Sequence, residues 1–293
     1  MRVLVTGGTG FIGAALCQAL AGAGHTVTVV TRDPQRTGGA AIGWEGVSAA
    51  VRETDALVNL AGEPLGSGRW DARQKQLIRD SRVRVTRTLV GAVAAGEPRP
   101  KVLVNASAIG YYGPRADEVL DESAGPGTGF LADVCRAWEE AALAAEDLGL
   151  RVVRLRLGVV LAADGGALAR MLPPFRAFLG GPIGSGRQWM SWIHRDDVTG
   201  LVADTLANES YHGAVNATAP QPVTNRDFAR MLGRVLARPA WLPTPAFALR
   251  LMVGEMADLL LSGQRVLPGV ADRLGYRWRF TELGGALQAS IQG

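Results

Sequence analysis

The stretch from Arg2 to His25, RVLVTGGTGFIGAALCQALAGAGH, constrains the fold more than any other. A short β-branched apolar run ends in glycines and passes at once into a helix that closes at Gly24. Such a run marks a buried parallel strand, since a strand covered on both faces has no polar side to alternate with. Gly7, Gly10 and Gly13 then fall in a G-x-x-G-x-x-G spacing between strand and helix. Glycine there permits a tight turn, lets backbone N–H groups approach an anion, and brings the helix close to the strand. The positive end of the helix dipole faces the same point. With Thr9, Phe11 and Ile12, these glycines form the expected seat of a dinucleotide pyrophosphate. The alternative is a glycine turn without a ligand.

The pattern continues. TVTVVTR, DALVNLAG, KVLVNASAIG and RVVRLRLGVVL are further apolar strands, and helical stretches separate them, one from about Trp70 to Ala95 and one at FLADVCRAWEEAALAAEDLGL. Strands alternating with helices predict an α/β fold, a doubly wound parallel sheet whose ligand sits at the carboxyl ends of the strands. After Leu161 the texture changes to glycine- and tryptophan-rich segments, followed by helices near Val198–Ala207 and at NRDFARMLGRVLA and a long apolar helix in the tail. The expected division is a nucleotide-binding domain over residues 1–157, with 195–217 returning to it. A smaller substrate lobe takes 158–194 and 218–293.

Two details of the strand tips bear on the ligand. An NAD site usually places a carboxylate at the end of the second strand to accept from the ribose 2′-hydroxyl. Here Thr31 and Arg32 stand at that tip, with Asp33 one step beyond. A guanidinium suits a 2′-phosphate through forked, charge-assisted hydrogen bonds, so NADP(H) is expected over NAD(H). The alternative has Arg32 in solvent and Asp33 turned inward to the ribose. The small-residue turn Leu60-Ala61-Gly62, followed by Glu63, ends the DALVN strand where backbone can approach the cofactor. Ala106, on the next strand, and Arg82, on the helix between them, are expected at the same place.

Composition excludes several classes. Hydrophobic residues make up 47% and charged residues 20% of 293, a globular balance. The net charge of +4 comes from scattered arginines, with Lys75 and Lys101 the only lysines, so no basic run points to nucleic acid. Two distant cysteines, Cys17 and Cys135, offer neither a disulfide framework nor zinc-ligand spacing. No apolar run approaches the roughly 20 residues that span a bilayer, and no charged leader with an apolar stretch precedes the first strand. The expectation is a soluble cytoplasmic protein with a small-molecule substrate.

TGGTGFIG, NLAG, SAIGYYG and WIHRDDV, in that order, resemble the extended short-chain dehydrogenase/reductase superfamily, the nucleotide-sugar epimerase and dehydratase group. More narrowly, NLAGEPL…RW, MLPPF…GGPIGSGRQWMSWIH and GQRVLP resemble a bacterial subfamily labelled epimerase family protein, which carries a C-terminal extension of unknown role. The resemblance spans essentially the whole chain. It implies a Rossmann domain with a small substrate lobe, and, since the superfamily often dimerises through two helices, a homodimer. It also implies catalysis by a Tyr-x-x-x-Lys pair, in which tyrosine moves the proton and lysine holds the charge. Matching the WE of FLADVCRAWEE to the superfamily's spacing puts Leu131 at the tyrosine position and Cys135 at the lysine position. Four residues before Lys75 stands Asp71 and four before Lys101 stands Glu97, so no such pair occurs anywhere in the chain.

Other residues are therefore the candidates. The resemblance places Ser107 where the superfamily keeps a substrate-orienting hydroxyl. Tyr111 is close enough in sequence to act as the acid, given a cation such as Arg82 or the oxidised nicotinamide; equally, Tyr111 and Tyr112 could simply pack. In related enzymes the GSGRQWMSWIHRDD region faces the substrate, which nominates Arg187, Trp189, Trp192 and His194 beside Tyr112 as pocket residues. A hydrogen bond to Asp196 or Asp197 is the alternative for His194, and core or pocket lining for Cys135. Two functions follow: an NADP(H)-dependent oxidoreductase or epimerase-like enzyme with altered catalytic groups, or a non-catalytic protein that senses NADP(H).

Overall fold

A computed structural model describes residues 1–292. The first half winds β1 (Arg2–Thr6), α1 (Phe11–Gly22), β2 (Thr26–Val30), β3 (Ala41–Ile42), α2 (Val47–Arg52), β4 (Ala56–Asn59), α3 (Ala72–Ala94) and β5 (Val102–Ala108). After the short β6 (Val119–Leu120) come α4 (Phe130–Leu143), β7 (Arg151–Leu157), β8 (Val159–Leu161) and α5 (Gly166–Arg176). Then follow β9 (Trp189–Met190), β10 (Trp192–His194), α6 (Arg195–Ala207), β11 (Gly213–Ala217), β12 (Val223–Thr224) and α7 (Asn225–Leu236). The tail holds α8 (Ala246–Val253), α9 (Met256–Leu261), β13 (Arg265–Val266), α10 (Gly269–Arg273) and α11 (Leu283–Gln292).

Seven parallel strands form the central sheet in the order β11-β7-β5-β4-β1-β2-β3. The order reverses between β1 and β4, and that switch point is where an open α/β sheet leaves a crevice at the strands' carboxyl ends. On one face Val3, Val5, Val58, Val104, Val153 and Leu155 pack against Leu16 and Leu20 of α1 and Val198, Leu201 and Val202 of α6. On the other, Leu4, Leu57, Leu103 and Val152 meet α2, α3 and α4. Each of these side chains is almost wholly buried, and burial of that kind stabilises by roughly 1.5–3 kcal/mol per residue.

The second cluster joins α5, α7, α11 and the β8–β10 pair around Trp192, Phe175 and Phe228. Two features differ from the sequence reading. The apolar tail is two short helices, not one long helix, because Gly254 at φ +63 ends α8 in a conformation that a helix cannot continue. Part of the tail also returns to the sheet. Val270, Ala271, Leu274, Tyr276 and Trp278 pack on the core shared by β11, α1 and α6. No helix among the described residues is long and apolar enough to cross a membrane.

Candidate functional site

The glycine loop brings the first strand, the first helix and the end of β4 onto one point. Gly7 takes φ +71, and a Cβ there would stand 2.7 Å from the Leu60 carbonyl carbon and 2.8 Å from the Ala61 nitrogen. A Cβ on Gly13 would overlap the Gly7 carbonyl oxygen. The three backbones therefore touch with no room for side chains. Gly10 donates to Gly7 O at 3.0 Å and its own oxygen accepts from Ala14. No side chain caps α1. The amides of Phe11, Ile12 and Gly13 are left without partners among the described residues, at the positive end of the helix dipole. A cradle of bare amides with no Cβ fits the diphosphate of a dinucleotide.

At the tip of β2, Arg32 is exposed and makes no hydrogen bond or ion pair among the described residues, while Thr31 is half-buried and accepts from Asp33 N at 3.3 Å. Asp33 is exposed, its carboxylate 3.8 Å from Arg36. The Phe11 ring faces outward, under Arg195 and against Gly165 and Gly166, whose added Cβ atoms would strike it. Arg195 in turn holds Asp164 at 2.7 Å, tying the loop before α5 to the cradle.

Beneath the crevice, strand register builds two polar rows on the face covered by α3 and α4. Thr6, Asn59, Asn105 and Arg154 are successive partners across β1, β4, β5 and β7. Two residues on, Ser107, Arg156 and Asn216 are partners across β5, β7 and β11. In the first row Thr6 donates to Asn59 at 2.6 Å, and Asn59 donates to Thr86 at 2.8 Å and to Asn105 at 2.6 Å. Trp138 donates to Thr86 at 3.0 Å.

The second row meets Glu139 of α4, whose carboxylate is fully enclosed. It accepts from Arg156 at 2.8 and 2.9 Å, from Arg154 at 3.1 Å and from Ser107 at 2.7 Å. Burial opposes charge on Arg156, but the bonds and charge of Glu139 outweigh it and hold the guanidinium more firmly protonated than usual. Arg156 also donates to the Tyr112 hydroxyl at 2.9 Å and lies 3.5 Å from the centroid of the Tyr111 ring. Burial pushes the Tyr112 phenol up to about 12, so it remains neutral.

The family is decided by comparison with known proteins. Residues 3–216 match the NAD dependent epimerase/dehydratase family, and residues 244–290 match a domain of unknown function, DUF1731. The chain belongs to that epimerase/dehydratase family. Among its relatives, a chloroplastic SDR39U1 homolog of Arabidopsis thaliana, named an epimerase family protein, is 45% identical over 304 residues, covering 100% of this chain and 87% of that protein. The crystal structure of human epimerase family protein SDR39U1 (isoform 2) with NADPH superposes with a TM-score of 0.94 at 39% identity, covering 100% of both chains. UDP-glucuronic acid 4-epimerase of Bacillus cereus, solved with UDP-glucuronic acid and NAD, gives 0.81 at 18% identity over 100% of this chain and 98% of that one; the likeness is one of fold.

Within this family member, the structure moves several expected site residues inside. Tyr112 is wholly buried, its hydroxyl held between Arg156 and Asn216 (2.7 Å), so it supports the loop from within and leaves no surface for a substrate. Trp192 is wholly buried in the second cluster, with its indole N–H bound to Gln221 O at 2.9 Å. His194 caps α6, its Nδ1 accepting from Asp196 N at 3.1 Å and its ring 4.1 Å from that of Phe280. Burial pulls its basicity down, as expected for a neutral cap. The hydrogen-bond partner is the Asp196 backbone, with the Asp196 carboxylate 3.8 Å from the same nitrogen. Ser107 is buried and bound to Glu139, which takes its hydroxyl away from a substrate. Cys135 is buried too, and burial, then the charge of Glu139, push its thiol up to about 11. It fills core beside Ser107 and Ala108, and Ala106 lies buried in β5.

Others stay accessible. Tyr111 is half-buried. Trp189 is half-buried, donating to Asp117 at 2.7 Å with Arg265 over its ring at 4.5 Å, and Arg187 is exposed. Leu131 packs with Trp70 and Leu65 against Met256 and Leu259 of the C-terminal segment. The residues the sequence reading passed over are Arg156 and Glu139. A charged residue inside an apolar parallel strand, and a carboxylate one turn past Cys135 on the apolar face of its helix, were the available signals.

Proposed function

We propose that this chain binds NADP(H) and uses it to reduce or oxidise the carbonyl or alcohol of a small molecule, with Tyr111 exchanging the proton. The observation that carries this reading is the Arg156 guanidinium stacked 3.5 Å over the Tyr111 ring. A cation on an aromatic face is attracted to it and places a fixed positive charge against the ring that exchanges the proton. Glu139 fixes that cation in place, and no hydrogen bond engages the Tyr111 hydroxyl among the described residues, leaving it free to meet a substrate oxygen. When bound, the nicotinamide supplies or accepts hydride. The chain's own work is to seat the diphosphate on the Phe11–Gly13 amides, to meet a 2′-phosphate with Arg32, and to hold the proton at Tyr111. The NADPH in the human SDR39U1 structure supports the phosphate-bearing cofactor, as does Asp33 turning to Arg36.

The test is NADPH oxidation against a panel of aldehydes, ketones and enones. Tyr111→Phe is expected to lower turnover about 100-fold or more, the range of a lost general acid, with the Kd for NADPH unchanged. Undiminished turnover would remove Tyr111 from the chemistry. The packing of Leu131 under the tail and the neutral thiol of Cys135 favour a second reading, a cofactor-binding protein without turnover. That reading gains if no compound in the panel is consumed while NADPH still binds.

A further inference from the structure

Arg265 of β13 is the one arginine, among those buried or half-buried in the described residues, that makes no hydrogen bond and no ion pair. Its peers are all held. Arg82 donates to the carbonyls of Glu63 at 3.0 Å and Ile78 at 2.9 Å, Arg151 to those of Tyr211 and Thr205, and Arg195 to Asp164. The Nε of Arg265 is enclosed without a partner, and the guanidinium rests on an aromatic face, the Trp189 ring, 4.5 Å away. Gln264, the residue before it, is 7% exposed, and its amide alone among the buried polar side chains described has no hydrogen bond. A desolvated donor without an acceptor is costly, so two in succession mark a segment whose bonding a ligand completes.

The surroundings hold this cation still. Trp189 donates its indole N–H to Asp117 at 2.7 Å, which fixes the ring against Arg265. The Asp117 carboxylate is bound to that indole and forms no ion pair with Arg265. A Cβ on Gly263 would strike the Trp189 carbonyl oxygen, so the chain entering β13 lies directly on β9. Ser191 binds the same segment twice, donating to Gln264 O at 2.9 Å and accepting from Val266 N at 2.8 Å. Val266, paired with Leu120 of β6, packs with Tyr112 and Tyr111. Strand alternation turns Arg265 to the opposite side, onto Trp189. One short strand thus links the Tyr111 loop to a guanidinium whose Nη groups are unpartnered among the described residues.

We propose that Arg265 selects the substrate by receiving an oxyanion, a carboxylate or a phosphate, on the molecule whose carbonyl or alcohol meets Tyr111. The proposal rests on the reading of Tyr111 above and supplies its substrate class. A guanidinium matches either group with two parallel N–H···O bonds, and the Trp189 face holds its plane ready for them. The exposed Arg187 has no such support. Charge-assisted bonds of this kind account for about a 10- to 100-fold gain in affinity.

The test is calorimetric titration of the NADP⁺-saturated chain with 2-oxo acids and with sugar phosphates, each beside its uncharged twin (the methyl ester or the parent sugar). At least one anion is expected to bind about 10- to 100-fold more tightly than its twin. Arg265→Met should erase that preference and Arg265→Lys keep part of it, with NADP⁺ affinity unchanged in both. The class of anion that binds names the group. Protection of Arg265 from phenylglyoxal by the same anion, read by peptide mass spectrometry, gives the answer without a substitution. Equal binding of anions and twins, a preference that survives Arg265→Met, or no binding of any anion would each overturn the proposal. A chain that does not take up NADP⁺ would instead sink the NADP(H) reading, and the anions are then titrated without it. Anion preference intact beside turnover indifferent to Tyr111→Phe would remove Tyr111 alone.

Discussion

The two ends of the crevice are built from different materials. At the glycine loop the exposed surface is backbone, shaped by three positions without Cβ atoms and by helix amides left bare. Below Tyr111 it is side chain, a carboxylate of α4 shared by two arginines of β7 and a serine of β5. The difference sets how each end fails. A backbone surface has no substitute for a missing glycine, since nothing nearby can move out of the way. A side-chain network can lose members in matched sets and still pack.

The sharpest challenge to that contrast is Gly13→Val. The new side chain must enter the Gly7 carbonyl, so the substitution is expected to abolish NADPH binding and to cost about 3 kcal/mol or more in urea unfolding. No second substitution should restore it, and a stable, cofactor-binding variant would break the comparison.

Arg156→Met comes next. It leaves Glu139 buried with Arg154 as its remaining cation, which is expected to destabilise by about 3 kcal/mol. Pairing it with Glu139→Leu removes the stranded charge and should return most of that loss while turnover stays low. If the double variant is as unstable as the single one, the network is not an exchangeable unit.

The mildest expectation concerns Cys135. A thiol whose ionisation is raised to about 11 is almost entirely protonated at pH 8, and its reactive thiolate only becomes abundant as pH climbs toward that value. Iodoacetamide at pH 8 should label it only after denaturation. Rapid labelling of the folded chain would contradict its burial and reopen a chemical role.

Backbone-built parts were the more legible in sequence. The glycine spacing, the apolar strands and the helices between them are local patterns, and each fixes its own element without reference to distant residues. Arg156 and Glu139 were missed for the opposite reason. They lie 17 residues apart in sequence and meet only because β7 enters the sheet beside β5 and α4 covers both. Nothing local in RVVRLRL says which arginine faces a carboxylate. Trp192 and His194 show the same limit from the other side, since residue type suggested a ligand while the second cluster and the α6 cap had already claimed their polar atoms. The break at Gly254 was visible as a glycine, but an apolar run of that length outweighed it.

Val270, Ala271 and Leu274 lie beyond what would pass for an appendage, yet they complete the wall of the main core beside β11. Glu122 accepts from the amides of both Asn216 and Val270, so one carboxylate clasps the edge strand and the tail together. A chain clipped ahead of α8 would therefore not be a trimmed dinucleotide-binding unit but one with its flank torn open. The boundary between the epimerase/dehydratase match and the DUF1731 match therefore does not divide the core, to which residues of both contribute.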